Sequence, residues 1–340
     1  MAQRSYKSLA DLIAVDSPTG YTDNACRFAY ELLESYGWKP RYTNKGAVAC
    51  SLAAPGTEPT SSIAAHVDTL GAIVSEIRSD GHLHISKLGG LSLNMAEGEY
   101  CRIRTLDDKI YQGTILLQNP SVHVNKKSSE TKRTIDSVYV RLDEVVTKKE
   151  ETEALGIRIG DIICLDTRYR ELDSGYIKSR YLDNKAGCYV LFELAREMAE
   201  KGGHAPVELF FSNYEEVGHG ASAGYSPSIK EMLVIDMGVV GDGVAGDERA
   251  CSICAKDSSG PYDYNFRKKL FNLSEEKGIN CRLDIYPFYG SDGSAALRAG
   301  HEFVVGLIGP GVAASHGVER THKDGVEATI QLCQAYMDTL

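Results

Sequence analysis

Apolar positions along the chain change their spacing twice. In the first 40 residues they follow a helical period: Ala25, Phe28, Ala29, Leu32 and Leu33 form one stripe, and Gly37 closes the segment. The turn Asp16-Ser-Pro-Thr-Gly20 comes before it, and Thr22 or Asp23 is placed to cap the helix. Short, nearly continuous apolar runs at 47–52 and 62–66 then read as strands. After Asp68 the runs become short and alternating, at 72–77, 82–86, 100–105, 115–118, 138–142 and 161–165, with one short helix expected near 148–155. Gly, Asp and Asn separate them, which predicts a small β-barrel. Helical and strand-like stretches return near Tyr176. Ala186, Tyr189, Val190, Leu194 and Met198 share one face of a helix that starts just after Asp183. Strands are expected at 207–212, 232–235, 250–255, 282–286 and 303–308, and helices at 263–277, 293–299 and 324–337. The expected organisation is therefore an α/β domain made of 1–69 and 167–340, interrupted by a β-rich domain at 70–166.

Composition narrows the possible partners. The 340 residues are 43% apolar and 25% charged, the balance of a soluble globular protein, and a net charge of −10 disfavours nucleic acid and anionic membranes. The polar stretch 119–136 contains Lys126, Lys127, Lys132 and Arg133; it is expected to be a mobile, solvated loop rather than a basic binding arm. The first residues, Met-Ala-Gln-Arg-Ser-Tyr, lack the apolar centre of a signal peptide, and no apolar run reaches the roughly 20 residues that span a bilayer. Nine scattered cysteines read as buried thiols in a reducing cytoplasm. Cys251-Ser-Ile-Cys254 has no second pair to complete a zinc knuckle, so it reads as a strand with two incidental thiols.

The candidate chemistry gathers where strands stop. Glu215-Glu216 follows the run that starts at Val207 and precedes Gly218-His219-Gly220. His66 ends Ile63-Ala-Ala-His66, Asp236 ends Leu233-Val-Ile-Asp236, Asp183 opens a helix, and His322 sits in a loop before another. Ligands of open α/β sheets collect at the carboxyl ends of strands. Imidazoles mixed with carboxylates suit zinc, cobalt or manganese and disfavour a thiolate site. One glutamate of the pair could bind a metal while the other moves a proton. Asp183 is the choice for a bridging ligand, because a carboxylate offers an oxygen to each of two cations. Asp68 is placed to accept from the His66 ring nitrogen that faces away from the metal. His316 reads as lining a substrate pocket, and His219 as a supporting or surface residue. Each residue alone is more often a cap or turn former than a ligand. Gly241-Asp-Gly-Val-Ala-Gly246 lacks the strand-turn-helix context of a dinucleotide site, and there is no Gly-x-Ser-x-Gly elbow.

Six strings occur in one order: Ala65-His-Val-Asp-Thr-Leu-Gly71, Leu182-Asp-Asn-Lys-Ala-Gly187, Glu215-Glu-Val-Gly218, Val234-Ile-Asp236, Gly290-Ser-Asp-Gly-Ser-Ala295 and Ser315-His-Gly-Val-Glu-Arg-Thr-His322. Together they resemble the glutamyl, or tetrahedral, aminopeptidases, a family of co-catalytic metallopeptidases. Ser17-Pro-Thr-Gly-Tyr-Thr-Asp-Asn24 and Lys256-Asp-Ser-Ser-Gly-Pro-Tyr-Asp-Tyr264 are similar to a bacterial subgroup associated with osmoprotectant systems. The resemblance implies a zinc-exopeptidase-like α/β/α sandwich with an inserted β-barrel that serves as a dimerisation or lid domain. It implies two divalent cations per subunit, zinc first, with cobalt or manganese as alternatives. His66 and Asp236 would hold one, Glu216 and His322 the other, and Asp183 both; a cis Asp183-Asn184 peptide is expected as well. Glu215 would be the catalytic base that activates a metal-bridging water, and Asp68 would orient His66. The implied activity is removal of the N-terminal residue from short peptides, and the implied assembly is a tetrahedral dodecamer. A related deacylase or carboxypeptidase acting on N-acyl amino acids, and a non-catalytic peptide-binding homologue, are the alternative readings.

Overall fold

The computed structural model describes residues 4–340, which fall into two compact units. One comprises 4–69 and 168–340, the other 70–167.

The larger unit is built on a 13-stranded sheet. At its centre, Val207–Ser212, Ser61–His66, Glu231–Ile235 and Val304–Ala313 run parallel in that spatial order. Strands covered on both faces should read as continuous apolar runs, and these do. Alternate residues point to opposite faces. Ile63, Ala65, Leu209, Phe211, Leu233 and Ile235 pack into one core with the helices Lys7–Ala14, Asp23–Ser35, Leu182–Glu200, Tyr264–Lys277 and Lys323–Met337. Ala64, Phe210, Met232 and Val234 pack into a second core that includes Ala296 of the helix Asp292–Arg298. The result is an α/β/α sandwich. The helix Leu182–Glu200 is buried around its whole circumference from Leu182 to Ala195, more than the single stripe read from its sequence. Its first turn departs from helical geometry at Asp183 and Asn184, and the peptide between them is cis. The helical start of the chain is two helices rather than one, and Thr22 makes no side-chain cap. Its hydroxyl accepts instead from the Asn213 amide at 3.3 Å.

The smaller unit is a closed six-stranded barrel. Gly71–Ile77 pairs with both Leu83–Leu88 and Ile162–Leu165, and this double pairing closes the ring. Alternation places Ala72, Val74, Leu83, Ile85, Ile103, Ile115, Val138, Val140 and Ile163 inside. The polar stretch 119–136 leaves Lys126, Lys127 and Lys132 exposed but carries its own anchor. Arg133 donates to the Glu97 carboxylate at 2.6 Å and to the carbonyls of Ser128 and Thr131 at 3.0 and 2.6 Å.

Among the described residues no helix is long and apolar enough to cross a membrane. All nine cysteines are free thiols, eight of them buried, including both members of Cys251-x-x-Cys254 in the strand Cys251–Asp257.

Candidate metal centre

The register of the parallel strands builds the site. His66 pairs with Ser212, and the offset that pairs Val234 with Ala64 sets Asp236 level with His66. The chain leaving Ser212 turns into a short 3-10 segment, Glu215–Val217, which lifts the two glutamates over the strand ends. The loop after Val304–Ala313 brings Ser315 and His316 to the same place, and the irregular first turn of Leu182–Glu200 adds Asp183.

His66 Nε2 lies 3.3 Å from Asp183 Oδ1 and 3.7 Å from Glu215 Oε2. His316 Nε2 lies 3.7 Å from Asp183 Oδ2 and 3.8 Å from Glu216 Oε2. Donor atoms of His66, Asp183 and Glu216 lie within 4.8 Å of one another, as do those of His66, Glu215 and Asp236. Asp183 stands between the two imidazoles with one oxygen toward each.

These residues fit divalent metal. Two donors about 2.0–2.2 Å from a shared tetrahedral ion stand about 3.3–3.6 Å apart, close to the spacing seen here. His66 Nε2 is fully buried and has no hydrogen-bond partner, an arrangement that is costly for a free imidazole and natural for a ligand. Its other nitrogen, Nδ1, is 2.9 Å from the main-chain carbonyl of Asp68, which fixes the tautomer that leaves Nε2 as the donor atom.

His322 is not part of this group. Its Nε2 faces the Ser174 carbonyl at 3.1 Å, and its Nδ1 accepts the Asp324 N–H at 3.0 Å, capping the helix Lys323–Met337. The ring opens on a separate cleft lined by Arg4, Tyr6, Glu193 and Lys323. His316, read from sequence as pocket lining, stands beside Asp183 and Glu216, where His322 was expected. Asp68 also acts differently from the expectation. It reaches His66 Nδ1 mainly through its own carbonyl, its carboxylate standing farther off at 3.5 Å. That carboxylate accepts the N–H groups of Glu215 and Glu216 at 3.1 and 3.2 Å and the Thr19 hydroxyl at 2.7 Å. It therefore caps the turn that carries both glutamates.

Asp292, in the string Gly290-Ser-Asp-Gly-Ser-Ala295, holds the same segment from its ends. Its carboxylate accepts from the Ser212 hydroxyl and, at 2.9 Å, from the Ala221 N–H. A side chain at Gly220 would meet Asp292 Oδ1 at 2.4 Å and the Glu215 nitrogen at 2.8 Å, so glycine alone fits there. His219 stays on the surface, with its ring stacked on Tyr214 and its carbonyl accepting from Lys45.

So many buried carboxylates resist ionisation without a cation. Burial, then the charge of Asp183, pushes the Asp236 carboxyl up to about 8. Burial raises Glu215 well above the usual range; His66 opposes this, and Asp236, Asp292 and Asp183 add to it. Burial and Asp183 raise Glu216 in the same way. For His66, burial disfavours the charged ring, but the Asp183 and Asp68 contacts and the charge of Glu215 outweigh it and raise its pKa. Asp183 moves down despite burial, because the His66 contact and the charges of His66 and His316 favour its anion. A divalent ion would supply to the whole group the positive charge that protons supply here.

Comparisons with known proteins identify the family and the fold. The family model described as M42 glutamyl aminopeptidase matches residues 46–332. The Bacillus subtilis protein named "Putative aminopeptidase YhfE" is 42% identical over 99% of this chain and 98% of its own. The TET aminopeptidase of the archaeon Thaumarchaeota SCGC AB-539-E09 shares the fold, with a TM-score of 0.88 at 20% identity over 98% of this chain and 96% of its own. The Pyrococcus horikoshii TET1 peptidase, whose structure title states that it can assemble into a tetrahedron or a large octahedral shell, gives a TM-score of 0.84 at 22% identity over 97% and 98%.

Proposed function

The chain belongs to the M42 glutamyl aminopeptidase family, hydrolases of peptide bonds that depend on metal, and on that premise we propose that it releases the N-terminal residue of short peptides at a two-cation centre. The observation that carries this reading is the unpartnered, buried His66 Nε2 facing Asp183 and Glu215, with His316 and Glu216 grouped on the other oxygen of Asp183.

In this reading His66 and Asp236 hold one cation, Glu216 and His316 the other, and Asp183 both. The nitrogen and oxygen donors favour zinc, with cobalt or manganese as substitutes. Bound there, the cations would polarise the scissile carbonyl and acidify a water molecule. Glu215 is the general base. It takes a proton from the attacking water and returns it to the nitrogen of the leaving peptide as the C–N bond breaks. Asp68 keeps the Glu215 main chain fixed during both transfers.

The segments 1–69 and 167–340 would form the catalytic domain, and 70–166 would serve self-association, consistent with the shells reported for Pyrococcus horikoshii TET1. The free thiols suit a reducing cytoplasm.

The test strips the protein with a chelator, reloads it with zinc, cobalt or manganese, and assays free and N-acetylated aminoacyl substrates side by side. Metal-restored cleavage confined to free amines is expected. Cleavage of the acetylated series alone would assign the centre to a deacylase instead.

A further inference from the structure

We propose that Glu319 is a positioning residue that locks Asp183 and His316 into one geometry; this rests on the reading that both side chains hold cations. Glu319 is buried, at 2% exposure, on the short strand Glu319–His322, where it pairs with Ser179. Its Oε2 accepts the Asp183 main-chain N–H at 3.0 Å, and its Oε1 accepts the His316 main-chain N–H at 3.1 Å. The Leu182 N–H donates to the same carboxylate. One side chain therefore ties together two segments that are far apart in sequence and that supply ligands to the same centre.

Both segments need such a tie. Tyr181 has φ 70, and Ala314 and His316 have φ 58 and 65. L residues leave these left-handed conformations when nothing holds them. The His316 N–H gripped by Glu319 belongs to one of those residues. The strand under Glu319 is paired on the Ser179 side, so the anchor sits on the sheet rather than on a loop. A second tie runs the same way: the Ser315 hydroxyl donates to Asp183 Oδ2 at 3.2 Å.

The chemistry of the side chain is specific. A carboxylate accepts at both oxygens, so it can serve all three N–H groups at once. In Glu319→Gln one oxygen becomes an NH2 group that meets an N–H head on, so at least one of the three grips is lost at nearly unchanged volume. Glu319→Asp keeps both acceptors but shortens their reach.

Amide hydrogen exchange and zinc titration of the full-length, chelator-stripped protein test this. In Glu319→Gln, exchange is expected to accelerate in the peptides around Asp183 and around His316 relative to the rest of the chain. Zinc affinity should fall by about 10–100-fold, the usual effect of losing a partner one step removed from the metal, and the cobalt-loaded protein should show an altered visible spectrum. Glu319→Asp should fall between wild type and Glu319→Gln, and it carries the same test if the glutamine variant does not fold. Wild-type exchange in either segment, or wild-type zinc affinity, would overturn the proposal. Failure of the metal reading has a different signature: the unaltered protein would take up no stoichiometric zinc.

Discussion

Replacing His316 and His322 by alanine, one at a time, separates two imidazoles six residues apart that the sequence offers as equals. The His316 ring places Nε2 3.7 Å from Asp183 and 3.8 Å from Glu216. Losing a partner one step removed from a metal costs about 10–100-fold in affinity. Losing the donor itself should exceed the upper end, which at about 1.4 kcal/mol per tenfold is about 2.8 kcal/mol or more. The His316 side chain is 38% exposed, so the stripped protein should lose little stability with it. His322→Ala has the opposite profile. It removes the acceptor for the Asp324 N–H at the start of the last helix, and loss of such a cap costs about 0.5–2 kcal/mol of stability. Metal content should not change. The assay is zinc content by mass spectrometry after dialysis against buffered free zinc, alongside urea melts of the stripped proteins. If His322→Ala lost zinc while His316→Ala retained it, the assignment of the second cation would be wrong.

Three further outcomes are expected. Glu215→Gln should keep its metal and lose turnover by about 10²–10⁴-fold, measured with an aminoacyl chromogenic substrate and parallel metal analysis; full activity would remove Glu215 as the base. Asp68→Asn should lower kcat more than it weakens metal binding, because its carboxylate holds the Glu215 and Glu216 main chain while its carbonyl still serves His66; equal kcat in variant and parent would refute this. The metal-stripped protein should lose stability as pH rises. Asp236 moves from 3.8 to about 8 on folding, and Glu215, Glu216 and His66 are also raised, so the folded state binds more protons than the unfolded one and its advantage is lost as pH climbs from about 4 through 8. Asp183 has the opposite sign and matters only below its ordinary range. Thermal melts at pH 6 and 9, with and without zinc, should show zinc stabilising more at pH 9; a smaller zinc effect at pH 9 would contradict the reasoning.

Most of the architecture was legible because both-face burial writes itself as unbroken apolar runs, and the barrel as alternation. That His66, Asp183, Glu216 and Asp236 would come together was legible for a related reason: each stands where such a run stops or a helix begins. His322 satisfied the same rule. A histidine just before a helix is equally good as an N-cap, and only the structure shows its ring spent on Asp324 and Ser174. His316 lay between Ala314 and Gly317, in a left-handed turn that no hydrophobic period announces. Glu319 left no trace either: Glu319-Arg-Thr-His322 holds no apolar residue to set a period, and only the structure shows the glutamate buried. The hydrogen bonds of Asp68 left none, since nothing in the chain shows that its carboxylate meets the N–H groups of Glu215 and Glu216.

The order in which the ligands leave the ribosome follows from the interrupted larger unit. His66 emerges ahead of the whole barrel, and His316 emerges 250 residues later. At about 5–20 residues per second, the first imidazole waits about 12–50 s for the last one during synthesis. The barrel, one continuous stretch of chain, can close in that interval, whereas the proposed centre can be completed only once nearly the entire polypeptide has been made.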